Sequence, residues 1–110
     1  MAYDLKLAER IRMLLKGKSY VEKKMFGGVG FMVNGNLACG VQGDGLIVRV
    51  APEKHATFLA RPHTPPFDMT GRPMKGWLIV EAEGCRTEVQ LKIWVREGTQ
   101  FALSLPAKSA

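Results

Sequence analysis

The fold of this chain is decided by residues 29–50, which read VGFMVNGNLACGVQGDGLIVRV. Asn34-Gly35 stands between two short apolar runs and is a strong signal for a two-residue hairpin turn. Residues 43–45 mark a second turn, and another apolar run follows them. The stretch predicts a meander of antiparallel strands. Before it, Val21, Lys23 and Met25 alternate with Glu22, Lys24 and Phe26, which predicts one more strand whose two faces differ.

Helical patterns stand at both ends of the chain. Asp4 can cap a first helix that runs to about Lys16, with one apolar face at helical spacing. Thr87 begins a final helix with the pattern of a capping box, and Pro106 ends it. Gly98 weakens the middle of this helix, so we expect a split or bend there.

The region between the meander and the final helix is more irregular. Pro52 opens a short helix over residues 53–60, and an extended piece is expected near Phe67. Residues 71–76 predict a loop, and residues 77–81 predict a strand. The sum is a two-layer α+β fold, an antiparallel sheet with N-terminal, middle and C-terminal helices that cover one or both of its faces. We expect one domain over residues 3–106 and a tail over residues 107–110.

Composition is that of an ordinary globular protein, with 46% apolar and 24% charged residues in a chain of 110. No apolar run approaches the roughly 20 residues that span a bilayer. Charged side chains interrupt the first 15 residues, so a signal peptide is not expected either. These observations predict a cytoplasmic protein that makes no membrane contact.

The net charge of +6 is concentrated near the N-terminus, in the first helix and the strand after it. Two interpretations follow: a basic face that binds nucleic acid, or a solvated helix face that keeps the protein soluble. We favour the second, because no aromatic residues interleave with the basic ones as single-strand binding requires. Binding of nucleic acid is retained as an alternative.

The sequence offers few groups for catalysis or metal binding. Cys39 and Cys85 lie far apart, outside any CxxC pair, and are expected to be small buried thiols. A redox switch would require them to be adjacent in space. His55 and His63 do not have a recognised ligand spacing and are expected on the surface. We therefore expect no metal, no cofactor and no enzymatic activity.

Two unusual stretches remain. Three glycines follow Lys24-Met25-Phe26 in the segment KMFGGVG, which lacks both the Walker pattern and the helix of a dinucleotide fingerprint. Strand glycines of this kind usually mark a bulge, a bend or a close approach of another element. The second stretch is GRPMKGW over residues 71–77. Arg72 and Lys75 would hold an anion there, or would be solvated in a simple connection to the next strand.

Together these stretches, the hairpin FMVNG at residues 31–35 and Trp94-Val95 resemble the N-terminal domain of the TfoX/Sxy competence regulators, over about residues 3–106. The resemblance implies a two-layer fold of the secretion-chaperone-like type with an antiparallel sheet. Full-length members promote expression of DNA-uptake genes in bacteria and carry a second, helical domain. We expect this chain to be a stand-alone first domain, and the family offers no established catalytic residues to transfer.

The resulting hypothesis is a regulatory binding module that acts through a protein partner in bacterial transcriptional regulation of the competence type. The alternatives are a nucleic-acid-binding protein that uses the basic first helix, and a binder or enzyme for a small anionic ligand at the Arg72/Lys75 loop. A homodimer is also possible through exposed sheet edges. The candidate binding residues are Lys24, Phe26, Gly27, Gly28, Arg72, Lys75 and Trp77.

Overall fold

The computed structural model of the chain describes residues 3–25, 27–60, 64, 66–68 and 73–106. In chain order its helices and strands are α1 (Leu5–Leu15), β1 (Val21–Met25), β2 (Gly28–Val33), β3 (Asn36–Gln42), β4 (Gly45–Arg49), α2 (His55–Leu59), β5 (Pro66–Asp68), β6 (Pro73–Val80) and α3 (Glu88–Ser104). Short 3-10 turns at Pro52–Lys54 and Ala82–Gly84 precede α2 and α3. The predicted order of elements is confirmed, including the extra strand near Phe67.

The six strands form one antiparallel sheet in the order β1-β2-β3-β4-β6-β5. Its central hairpin turns at Asn34 and Gly35, whose φ angles are 57° and 79°. Positive φ at both residues is what a type I′ turn requires, and Val33 pairs with Asn36 across it. The sequence signal for this hairpin is confirmed.

One face of the sheet carries the core. Cross-strand pairing aligns two buried rows on it, Phe31-Cys39-Val48-Leu78 and Val29-Val41-Leu46-Val80. Apolar side chains of all three helices belong to the same cluster, including Ile11 from α1, Phe58 from α2 and Trp94 from α3. The helices therefore lie on one face of an antiparallel sheet, and the predicted two-layer α+β fold is confirmed.

Both long helices begin at the predicted caps. The Asp4 carboxylate accepts hydrogen bonds from the backbone N–H groups of Lys6 and Leu7, at 2.9 and 3.1 Å. At the start of α3, Thr87 and Gln90 form the reciprocal capping box, with distances of 3.0 and 3.1 Å. These bonds satisfy N–H groups that would otherwise lack partners in the first helical turn.

A β-bulge lies at Ala38 on β3, whereas the glycines of KMFGGVG mark a close approach of another strand, one of the features that the sequence indicated there. Phe31 pairs with Cys39 and Met32 pairs with Leu37, so Ala38 is an extra residue on β3. Gly27 has a φ of 74° beside the β1–β2 hairpin, and a Cβ on Gly28 would collide with the backbone carbonyl of Val41.

The expected break in the final helix at Gly98 is wrong. Helix α3 is continuous from Glu88 to Ser104, and Gly98 is buried where the helix crosses β3. A Cβ at Gly98 would collide with the carbonyl oxygen of Ala38. Glycine is present because helix and bulge approach each other closely, and tertiary packing offsets its low helix propensity.

The predicted loop over residues 71–76 is wrong from Pro73 onward, and residues 71 and 72 lie outside the described part of the chain. Strand β6 begins at Pro73, because Pro73 pairs with Asp68 of β5 and the strand continues to Val80. Proline is tolerated at the first residue of a strand. Gly76, with a φ of 86°, lies within the strand at the point where its carbonyl accepts the N–H of Val50, at 2.9 Å.

Two contacts hold the ends of the described chain against the sheet. Tyr3 forms a bridge with Gly43, and the Asn36 side chain donates to the carbonyl of Pro106 at 3.0 Å. Within the described residues, no helix has both the length and the apolar character needed to cross a bilayer.

Candidate functional site

The residues predicted from the sequence as binding groups lie in two separate parts of the sheet. Lys24 is exposed on the edge strand β1, and Gly27 and Gly28 form the hairpin next to it. Trp77 and the backbone of Lys75 lie in β6. Phe26 and Arg72 are outside the described residues.

The structure does not bring these two groups together. Strands β2, β3 and β4 separate β1 from β6. Four strand spacings of about 4.8 Å place Lys24 roughly 19 Å from β6. Lys24 is also in the cross-strand row that ends at Val80, whereas Trp77 comes three residues earlier in β6. One ligand-binding surface shared by Lys24 and Trp77 is therefore not formed.

Trp77 instead contacts a residue that the sequence did not identify, Arg49 at the end of β4. The Arg49 guanidinium lies 4.5 Å from the centroid of the Trp77 ring and 5.3 Å from that of Phe101 on α3. Burial lowers the pKa of Arg49, and its Nε makes no hydrogen bond with a described residue. The two rings provide cation–π stabilisation that partly offsets this desolvation. The cluster joins β4, β6 and α3.

The two arginines of the first helix are engaged in contacts within the molecule. Arg12 donates to both carboxylate oxygens of Glu22 on β1, at 2.8 and 2.9 Å, and to Glu9 at 2.9 Å. These hydrogen bonds, Glu22 first, raise the pKa of Arg12. Arg10 pairs with Glu88 at 3.4 Å. Part of the basic face that the sequence suggested is thus neutralised by carboxylates.

The two thiols are buried in the core cluster, as the sequence indicated. Burial raises the pKa of Cys39 to about 12 and that of Cys85 to about 11. Both thiols are therefore protonated at neutral pH, and the thiolate that acts as a nucleophile or metal ligand is scarce. Among the described residues, no group of three or more His, Cys, Asp or Glu side chains is placed to hold a metal ion.

A concave surface is found on the helix layer instead. We call it the α1–α3 groove. It has a volume of about 430 Å³ and is lined by Leu14, Lys18, Lys92, Val95, Arg96, Thr99, Gln100 and Leu103. Two parallel rows of α3 at i, i+4 spacing contribute most of the lining. One row is Lys92, Arg96 and Gln100, and the other is Val95, Thr99 and Leu103.

The α1–α3 groove combines an apolar floor with a basic rim. Val95 is buried and Leu14 is half-buried, whereas Lys18, Lys92 and Arg96 are exposed. Among the described residues, the lining includes three cations and no carboxylate. Thr99 is only 8% exposed, and its hydroxyl has no hydrogen-bond partner among the described residues. Such a surface suits an anionic ligand that also has apolar groups.

A family model described as the TfoX N-terminal domain matches residues 13–102. The chain belongs to the TfoX N-terminal domain family. The resemblance found in the sequence is thereby confirmed, and the chain is a regulatory module of the TfoX type. Comparison with curated proteins and with solved structures finds no significant match.

The TfoX N-terminal match includes both sequence stretches that suggested the family, and it also includes the α1–α3 groove apart from Leu103. Sequence reasoning missed this groove and the Arg49 cluster. The i, i+4 spacing of Lys92 and Arg96 was a usable signal for one wall. The opposite wall, with Leu14 and Lys18, is more than 70 residues away in the chain, and only tertiary packing reveals it.

Proposed function

We propose that this TfoX N-terminal domain is a cytoplasmic regulatory module that acts through a protein partner in bacterial transcriptional regulation of the competence type. The observation that carries the proposal is the family match over residues 13–102. The α1–α3 groove supports it, because a concave surface with apolar and charged side chains suits recognition of a protein segment.

A non-catalytic role is part of the same proposal. The only two thiols of the chain are buried and protonated at neutral pH, which makes them poor nucleophiles. The perturbed cation Arg49 contacts two aromatic rings and contributes to packing between sheet and helix. Packing within the fold therefore explains the unusual environments of Cys39, Cys85 and Arg49 without a catalytic role.

Direct binding of nucleic acid is less well supported by the geometry. Arg10 and Arg12 are held by carboxylates, which reduces the positive potential of the first helix. Lys16, Lys23 and Lys24 are exposed and would still contact phosphates. A titration with a short DNA duplex at about 50 mM salt, where phosphate contacts are strong, tests this alternative directly.

The proposal is tested by capture from living cells of the source bacterium. The tagged chain is crosslinked and purified, and the same protein partner is expected in every replicate and in the reciprocal capture. Deletion of the gene is expected to change transcript levels of a defined gene set. The matched control is Gly98→Leu, which cannot fold normally because any Cβ there collides with Ala38. Failure to recover a reproducible partner would reject the proposal.

A further inference from the structure

We propose that the α1–α3 groove binds an acidic, amphipathic helix of the protein partner. The inference rests on the function proposed above and specifies its site and the chemistry of its partner. It is carried by charge complementarity, by the apolar floor between the cations, and by the parallel rows of side chains along α3.

Charge on α3 is segregated toward the groove. Its two carboxylates are engaged elsewhere, Glu88 with Arg10 at 3.4 Å and Glu97 with Lys54 at 3.7 Å. Among the described residues, no ion pair includes Lys18, Lys92 or Arg96. Lys92 and Arg96 are four residues apart, a like-charge spacing that destabilises a helix. Carboxylates of a bound partner would remove this repulsion and bring charge complementarity to the interface.

The apolar side chains explain why the partner should be amphipathic. Leu103 is 57% exposed at one end of the groove, and Val95 and Leu14 form its floor. A purely polar acidic chain would leave Leu103 in water. A helix with apolar residues at i, i+3 and i+4 would cover Leu103 and extend its acidic edge over the cations.

Two features favour a helix over a small anion. The groove lies between α1 and α3, and from Lys92 to Leu103 it follows about 17 Å of helix. Rows at i, i+4 spacing present ridges and grooves of the kind that accept a third helix. A small ligand would bury most of its surface only in an enclosed cavity, whereas the exposed Leu103 leaves this groove open on one side.

Nucleic acid fits the groove less well. The described part of its lining has no aromatic side chain on which a base would stack. Its apolar residues stand between the cations, where a phosphate backbone would gain nothing from them. The observations therefore favour the protein partner.

The test uses the full chain and a displayed library of random peptides about 16 residues long, roughly 24 Å as a helix. Selected peptides are expected to be enriched in Asp and Glu and to carry apolar residues at helical spacing. Their affinities are then measured by fluorescence anisotropy. The groove variant Lys92→Glu/Arg96→Glu is expected to bind at least about tenfold more weakly, because two attractions become repulsions. Leu103→Ser should weaken binding as well.

The matched control is Lys6→Glu/Lys23→Glu, which makes the same charge change at two exposed lysines, on α1 and β1, that do not line the groove. It should change affinity by less than about twofold, since isolated surface charges contribute little. Circular dichroism checks that each variant is folded. If the charge reversal unfolds the protein, the milder Lys92→Gln/Arg96→Gln is used and should still weaken binding.

Several outcomes would overturn the inference: no enriched peptide, peptides without an acidic bias, or peptides that bind the groove variant normally. It is equally overturned if the groove variant loses affinity only for a DNA duplex, or if its main effect is to dissociate a dimer of the chain. The proposed function is tested separately by capture in cells. If the groove variant still recovers the cellular partner, the groove assignment fails and the protein-partner function stands.

Discussion

At Thr99 a buried hydroxyl has no hydrogen-bond partner among the described residues. An unsatisfied buried polar group costs roughly 1–3 kcal/mol. Thr99→Val keeps a branched side chain of similar shape and removes this cost. We expect the substitution to raise the free energy of unfolding by about 1 kcal/mol, measured by urea denaturation.

The same substitution at Thr87 is the control for this prediction. The Thr87 hydroxyl accepts the N–H of Gln90 at 3.1 Å and caps α3. Thr87→Val should therefore lower the free energy of unfolding by about 1 kcal/mol. If the free energy of unfolding rises in Thr99→Val and falls in Thr87→Val, then the Thr99 hydroxyl is unsatisfied and the Thr87 hydroxyl is hydrogen-bonded. A loss of stability in Thr99→Val would show that its hydroxyl is hydrogen-bonded.

Cys39 gives a prediction about pH. Burial raises its pKa to about 12, whereas a thiol in the unfolded chain titrates near 8.5. Above pH 8.5 the unfolded state loses a proton that the folded state keeps, so stability falls as pH rises. The fall is about 1.4 kcal/mol per pH unit between pH 9 and 11. Well below the pKa of the unfolded thiol this fall in stability is absent, because both the folded and the unfolded state keep the proton.

Cys39→Ala removes this titration and leaves the second buried thiol in place. Urea denaturation of both proteins from pH 8 to 11 measures the two slopes. The variant should lose stability less steeply with pH, by about 1.4 kcal/mol per unit, whatever its stability at neutral pH. Identical slopes would mean that Cys39 ionises in the folded protein as easily as in the unfolded chain.

Among the elements, helix α3 packs closely against β3 because the residue in its middle, Gly98, has no side chain. Gly98→Ala should improve helix propensity by about 1 kcal/mol. The added Cβ would nevertheless collide with the carbonyl of Ala38 at the bulge of β3. We expect a net loss of about 2 kcal/mol in the free energy of unfolding, because the helix and the sheet must separate. Urea denaturation gives the value.

Val89→Ala isolates the propensity effect in the same helix. Val89 is 70% exposed in the first turn of α3, so its truncation removes little buried surface. The variant should be as stable as the natural chain or more stable by about 0.5 kcal/mol. If Gly98→Ala behaves like Val89→Ala, the close contact between α3 and β3 does not exist.

The sequence predicts elements well where their signals are local. The Asn34-Gly35 turn and the Thr87 cap depend on residues two or three positions apart, and both are confirmed. It predicts poorly where partners are distant. The sequence predicts a loop over residues 73–76, because their pairing with β5 cannot be read from local propensity. Helix propensity predicts a break at Gly98, although the residue that decides its packing is Ala38, 60 residues earlier.

The same limit applies to the candidate site. The stretch GRPMKGW indicates Trp77, yet the contact of Trp77 with Arg49 joins strands that are far apart in the chain. The α1–α3 groove depends on the packing of the two terminal helices, which no motif records. Residue types and their spacing along one helix can be predicted from the sequence. The surface that two helices form together cannot.

For the molecule as a whole, the ion pairs determine which part of the surface keeps an excess of positive charge. Arg10 joins α1 to the start of α3, and Arg12 joins α1 to β1, so these arginines help to hold the terminal helices and the sheet edge together. Each exposed pair contributes only about 0–1 kcal/mol. Their larger consequence is electrostatic: the cations of α3 that pair with no described carboxylate lie at the groove, where an acidic partner would meet them.

Unfolding should be a single cooperative event, because all three helices and four of the strands share one apolar cluster. The two tryptophans report on different parts of it. Trp94 donates to the carbonyl of Gly84 at 3.1 Å within the helix layer, and Trp77 contacts Arg49 at the β4–β6 pair. Each of the variants Trp77→Phe and Trp94→Phe keeps one tryptophan, so its fluorescence reports on one part of the cluster. In each variant, the midpoints from tryptophan fluorescence and from far-UV circular dichroism should coincide in urea.

A difference between the two signals would locate a weaker unit. If the Trp77 fluorescence of Trp94→Phe changes at lower urea than the circular dichroism, the β5–β6 edge opens before the rest of the sheet. That result would contradict the single cooperative unit. Coincident signals in both variants mean instead that the Arg49 cluster and the helix layer unfold together. The α1–α3 groove would then be present only in the fully folded domain, and a bound acidic helix would stabilise the whole molecule.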